Sequence, residues 1–194
     1  MSTPNTPGTP TTPPLSRADL AKAIAAAALL RGTFTLRSGR VSSYYLDKYL
    51  FSTRPEVLEP LAGLFAERIA GIVARSGPVV RLAGAELGGI PLVTAASLKT
   101  GLPCLFVRNA KKDYGTAKQL EGRLEKGDRV VLLEDVATTA GQALEAVKVL
   151  QDAGAEIAGV IATIDRQEGA SENMAKAGIA FEALFTKQDL GITE

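Results

Sequence analysis

Between residues 79 and 165 the chain keeps one rhythm, short apolar runs alternating with helical stretches. VVRLAG, PCLFVRN, RVVLLED and IAGVIATIDR read as strands, and GIPLVTAASLKTG and GQALEAVKVLQDAG as helices. A strand with one wet face alternates apolar and polar residues, whereas these runs are almost continuously apolar and so need cover on both sides. Strands that alternate with helices form a parallel sheet with helices on its faces, so the expected fold is α/β with a central parallel sheet. Ligands of such sheets bind beyond the carboxyl ends of the strands. The informative segments are therefore Gly84–Gly89, Arg108–Arg123, Glu134–Gln142 and Asp165–Glu168.

The flanks are read the same way. MSTPNTPGTPTTPP carries five of the ten prolines and no charged side chain, so residues 1–15 are expected to form a disordered tail. Ser16 has the character of an N-cap, with Asp19 three residues on, for a helix that ends near Gly32. In TFTLRSGRVSSYYLDKYLF a Ser-Gly step separates two β-prone pieces, which predicts a hairpin or small lobe. Pro55 suits the first turn of a long helix, residues 168–178 read as helical, and FEALF at 181–185 fits an edge strand. No repeat and no interdomain linker is visible, so residues 16–194 are expected to be one domain.

Composition narrows the chemistry. With 22 basic and 21 acidic side chains in 194 residues, the net charge of +1 supplies no broad field for a polyanion such as nucleic acid. Histidine is absent, which excludes serine–histidine and cysteine–histidine catalysis and histidine metal sites. Cys104 is the sole cysteine, so neither an internal disulfide nor a multi-thiolate metal site is available. The longest apolar run, AIAAAALL, is far shorter than the ~20 residues of a membrane helix, and no charged segment precedes a hydrophobic core, so a cytoplasmic protein is expected.

The segment RVVLLEDVATTAGQALEAV ends a strand on two acids and places small and hydroxyl residues before a helix. Free backbone N–H groups at the positive end of that helix suit a phosphate, and the hydroxyls of Thr138 and Thr139 add donors. A carboxylate beside a phosphate would repel it, so Glu134 and Asp135 are expected to face another part of the same ligand. Vicinal sugar hydroxyls fit, and together the two halves suggest a ribose 5-phosphate. The alternative is structural, with Asp135 capping the helix. Neither GxxxxGK[ST] nor GxGxxG is present, which removes the P-loop and the dinucleotide fingerprint. The polar stretch 108–123 is too long for an ordinary connection; it is either a solvated loop or one that closes over anionic charge.

EDVATTAGQ resembles the motif of type I phosphoribosyltransferases that binds 5-phosphoribosyl 1-diphosphate (PRPP): two acids, apolar residues, then Thr-Thr-Gly and a hydroxyl residue. FTLRSGRVSSYYLD (34–47), VRNAKKDYG (107–115) and IDRQEG (164–169) narrow the resemblance to the orotate phosphoribosyltransferase family, from about Ala18 to the C-terminus. The resemblance implies the type I phosphoribosyltransferase fold, with a small N-terminal hood from about 16–55 together with the C-terminus, a core of about 56–166, and a homodimer. It also implies Mg²⁺-dependent transfer of the phosphoribosyl group from PRPP to orotate, giving orotidine 5'-monophosphate and pyrophosphate in pyrimidine synthesis.

Carried over by position, Glu134 and Asp135 would hold the ribose hydroxyls, and Val136, Ala137, Thr138, Thr139, Ala140, Gly141 and Gln142 would form the PRPP loop. Arg37, Arg108, Asn109, Lys112 and Tyr114 would reach PRPP, with Lys112 joining the two acids as a catalytic group and the 108–123 loop entering the neighbouring subunit's site. Tyr44, Tyr45, Thr138 and Arg166 would bind orotate, and Mg²⁺ would be held by PRPP and water rather than by a protein cage. Without the resemblance, Arg166 reads first as the partner of Asp165 or Glu168 in a surface ion pair. The chain departs from the family pattern at Arg37, Gly88, Asn109, Tyr114, Ala140 and Gln142. The rival from another class is a regulator that binds PRPP without turnover, which would bring a DNA-binding segment or basic face; a purine or uracil transferase conflicts with the Arg166 and hood matches.

Overall fold

The computed structural model describes residues 15–35, 39, 41–109 and 119–193. The expected tail, Arg37, Lys112 and Tyr114 lie outside the described residues. The chain opens with α1 (Arg17–Ala28), capped as the sequence indicates: the Ser16 hydroxyl accepts from the Asp19 amide at 3.1 Å. This helix ends four residues before Gly32, because Leu29 and Leu30 already belong to β1 (Leu29–Thr35). β1 pairs antiparallel with β2 (Val41–Leu46) as a separate two-stranded hood. A short helix that the sequence did not suggest, α2 (Lys48–Ser52), follows, with the Asp47 carboxylate accepting from the Tyr49 amide at 3.1 Å.

The core begins at α3 (Pro55–Ser76), with proline in its first turn where its missing N–H has no helical partner to lose. Then come β3 (Arg81–Ala85), α4 (Gly89–Thr100), β4 (Cys104–Val107), β5 (Leu120–Glu121), β6 (Arg129–Ala137), α5 (Gly141–Asp152), β7 (Glu156–Asp165), α6 (Ala170–Lys176) and β8 (Phe181–Thr186). They form a six-stranded sheet in the order β5-β4-β3-β6-β7-β8, parallel except for β5, a two-residue edge strand that the sequence reading missed. β8 is the expected edge strand, parallel to β7.

Side chains alternate across β6 and split the core in two. Val131 and Leu133 join the cluster under α1, α3 and α4, while Val130 and Leu132 join the cluster under α5 and α6. Among the described residues no helix is long and apolar enough to cross a membrane.

Strand order positions the site. From β3 the chain moves outward to β4 on one side; from β6 it moves outward to β7 and β8 on the other. The loops that leave β3 and β6 therefore diverge and leave a crevice at the carboxyl ends of two neighbouring strands.

Candidate active site

Glu134 and Asp135 do not terminate their strand. β6 continues to Ala137, because its longer neighbour β7 pairs with it out to Asp165. The acids are thus consecutive strand residues and must project to opposite faces. Glu134 lines a cavity of about 290 Å³ together with Val136 to Ala143 and Glu145, on the α5 face. Asp135 faces α4 and the hood. The two side chains leave opposite faces of the strand, yet their carboxyl groups come within hydrogen-bond reach of one another, and that of Glu134 borders the phosphate loop.

The loop Thr138–Ala140 turns the chain from β6 into α5, whose first amides, at Gly141, Gln142 and Ala143, have no helical carbonyl behind them. Ala140, at the N-cap, has φ of 63°, the left-handed region that favours glycine. The chain thus makes this turn with an alanine, against a steric penalty that glycine would not meet. Asn173 of α6 braces the turn by donating to the Thr139 carbonyl at 3.0 Å. A cradle of backbone donors at the positive end of a twelve-residue helix is suited to a phosphate.

Asp135 is almost fully buried, yet it has an ionic partner: Lys48 Nζ lies 2.8 Å from its Oδ2, with the two side chains 30% and 2% exposed. Burial alone pulls the Lys48 ammonium down, but the Asp135 carboxylate, helped by Tyr49 and Glu134, outweighs it and holds the lysine above its ordinary range. Glu134 moves the other way. Burial first, and then the negative charge of Asp135, push it up to about 8, with Lys48 opposing. Gly88, in the loop after β3, lies hard against this pair: a Cβ there would fall 1.5 Å from Asp135 Oδ2.

Arg166, just beyond β7, is held by its neighbours rather than lying on the surface. Its Nη2 donates to the Tyr44 hydroxyl at 3.0 Å and pairs with Glu168 at 2.9 Å, and its guanidinium lies over the Tyr44 ring. Its amide donates to the Ala137 carbonyl, which sets it next to Thr138. The ion pair with Glu168 that the sequence allowed is present, with both side chains largely buried rather than on the open surface. Tyr45 is separated from this group: on the opposite face of β2 it is 44% exposed, with its ring centroid 5.7 Å from that of Phe34. Alternation along a strand cannot put both tyrosines against one ring.

Arg108 and Asn109, after β4, are anchored by Glu86 in the loop after β3. The Glu86 carboxylate accepts from the Asn109 amide at 2.6 Å and lies 3.9 Å from Arg108 Nε, with Glu121 4.0 Å from Nη1. Neither Glu86 nor Lys48 was singled out from the sequence. The AELGG segment carried a hint for Glu86, but nothing local marks Lys48, 87 residues before its partner.

Among the described residues, three buried side-chain atoms lack a hydrogen-bond partner: Glu134 Oε2, Arg108 Nη1 and Arg166 Nε. All three belong to candidate site residues. An unmet buried polar atom costs about 1–3 kcal/mol, so each of the three marks hydrogen-bonding capacity left open for a ligand.

Comparison with known proteins follows the geometry. The family model of the phosphoribosyl transferase domain matches residues 53–186. The orotate phosphoribosyltransferase of Natronomonas pharaonis is 44% identical over 165 residues, covering 85% of this chain and 91% of its own length. That of Thermococcus gammatolerans is 45% identical over 170 residues, covering 87% and 88%. The crystal structure of Mycobacterium tuberculosis orotate phosphoribosyltransferase in complex with PRPP superposes with a TM-score of 0.76 at 31% identity, over 91% of this chain and 99% of that one.

Proposed function

The chain belongs to the phosphoribosyl transferase family, among the orotate phosphoribosyltransferases, and from that premise we propose how its residues carry the reaction. The enzyme transfers the 5-phosphoribosyl group from PRPP to orotate, giving orotidine 5'-monophosphate and pyrophosphate for pyrimidine synthesis. The observation that carries the residue assignment is the set of three unpartnered buried atoms on Glu134, Arg108 and Arg166.

In this assignment the 5'-phosphate sits on the amides of the 138–142 turn, while Glu134 and Asp135 accept from the ribose hydroxyls. Arg166, oriented by Tyr44 and Glu168, takes the orotate carboxylate through its remaining N–H groups. Arg108 turns Nη1, which has no hydrogen-bond partner, to anionic oxygen of PRPP. Departure of pyrophosphate builds positive charge on the sugar and negative charge on the leaving group. Orotate is already anionic, so catalysis rests on orientation and charge stabilisation, and orientation alone supplies up to ~7–11 kcal/mol. A chain without histidine can do this.

Mg²⁺ fits as the cofactor, carried in on PRPP oxygens and water. The hard oxygen donors of the crevice, and the unpaired Oε2 of Glu134 above all, suit the hydroxyls and waters around such an ion. Its part is to neutralise the diphosphate. We assign the enzyme a homodimeric state, with Lys112 and its loop serving the neighbouring subunit, and a cytoplasmic setting, where its charged substrates are confined.

The deciding experiment follows the loss of orotate absorbance with PRPP and Mg²⁺ beside uracil, hypoxanthine and adenine. Turnover with orotate alone is expected. PRPP binding without turnover of any base would favour a sensing protein instead.

A further inference from the structure

We propose that Lys48 is a substrate-binding residue for the diphosphate of PRPP: it rests on Asp135 in the free enzyme and turns to the leaving group once the ribose hydroxyls take over that carboxylate. This rests on the site assignment above. The C5 and C1 substituents of a ribose leave opposite sides of the ring. With the 5'-phosphate on the 138–142 turn, the diphosphate points across the crevice to the loop after β3 and the start of α4.

Among the described residues, that side offers few mobile cations. Gly88 can carry no side chain, because a Cβ would overlap Asp135. Arg108 is already flanked by Glu86 and Glu121. Among the described residues, the ion pair to Asp135 comes from Lys48, at the start of α2. Its side chain is 30% exposed against 2% for Asp135, so the lysine is the free end of the pair. A four-carbon stem lets the ammonium change partner without moving the backbone. A lysine paired only for stability would gain little in this position, since its carboxylate is needed by the sugar.

Binding of PRPP and of ribose 5-phosphate, which lacks the diphosphate, is measured by calorimetry with Mg²⁺ for the wild type, Lys48→Met and Lys48→Arg. The expected result is that Lys48→Met weakens PRPP by about tenfold or more, the worth of one charge-assisted contact, while ribose 5-phosphate changes by less than about twofold. Lys48→Arg is expected to recover most of the loss. Equal weakening of both ligands would reduce Lys48 to a prop for Asp135 and overturn the proposal, as would no weakening of either. The comparison is repeated in Asp135→Asn, where removal of Lys48 leaves no buried charge unpaired; the same selective loss is expected even if Lys48→Met alone does not fold. A wild-type enzyme that binds neither ligand would overturn the site assignment itself.

Discussion

Asp135 and Glu134 are adjacent in sequence but live in different electrostatic surroundings. Asp135 has an ammonium at 2.8 Å, while Glu134 has a buried oxygen with no partner and a pKa near 8. Asp135→Asn removes the negative charge and one of the two acceptor oxygens but keeps the shape, so turnover is expected to fall by more than about tenfold, one lost charge-assisted contact, with the fold retained. Near-normal turnover would remove Asp135 from the site. Glu134 titrates in the opposite sense to an ordinary paired carboxylate. The folded state holds the proton up to about pH 8, whereas the unfolded chain releases it near the model-peptide value of 4.5. The stability that this proton confers is full below pH 4.5 and is lost as pH rises through 8. Glu134→Gln keeps the protonated shape and does not titrate. Its melting temperature, measured without substrates, should gain on the wild type steadily between pH 5 and 8.5; a difference that stays constant with pH would show that Glu134 is ionised throughout.

At the scale of elements, the crevice depends on how closely the start of α4 approaches β3. A Cβ at Gly84 would lie 2.4 Å from the Gly89 carbonyl oxygen and 2.7 Å from Val93 Cγ1, contacts that only backbone movement could relieve. Gly84→Ala is therefore expected to lower unfolding free energy by at least about 2 kcal/mol in urea titration, and to weaken PRPP binding as Gly88 shifts from Asp135. A change within ~0.5 kcal/mol, the range of ordinary surface substitutions, would mean that α4 slides freely. The same packing explains why Gly88 could not be replaced by lysine here without displacing Asp135. The turn into α5 differs: Ala140 holds a left-handed conformation and is braced from α6 through Asn173, so a neighbouring element maintains a geometry that glycine would adopt unaided.

At the scale of the whole molecule, Leu98 of α4, 85% exposed, stands at a shallow apolar pocket that Pro55, Leu58 and Ala62 of α3 and Ala95 of α4 also line. A lone exposed leucine needs no explanation, but this group lines one open pocket of about 410 Å³, a surface suited to a second copy. Leu98→Glu is expected to shift the protein towards monomer in sedimentation velocity and to lower activity with it. An unchanged sedimentation coefficient would move the interface elsewhere. The shared-site assignment has its own check, in which inactive Lys112→Ala and Asp135→Asn subunits are mixed. Hybrid dimers should recover part of the activity, and no recovery after confirmed subunit exchange would place Lys112 in its own subunit's site.

Much of the architecture was legible because the signals are local. Apolar runs of strand length, the Ser16 cap, Pro55 at the head of α3 and the EDVATTAGQ turn are each set by residues within a few positions of one another. Where local signals were weak, the reading slipped: Gly32 drew the end of α1 too far, two residues were too few to announce β5, and β7 rather than β6 decided that the strand runs on past Asp135. The amino-acid sequence by itself determined the alternation of strands and helices and the turn of small and hydroxyl residues that leads from β6 into α5. Only the tertiary structure decided which way the site residues face and what they meet. It turned Tyr44 towards Arg166 and Tyr45 away, placed the two acids on opposite faces, and brought Lys48 to Asp135 across 87 positions. The physical reason is that side-chain direction depends on strand register, and charge pairing on distances through space, neither of which is encoded by spacing along the chain.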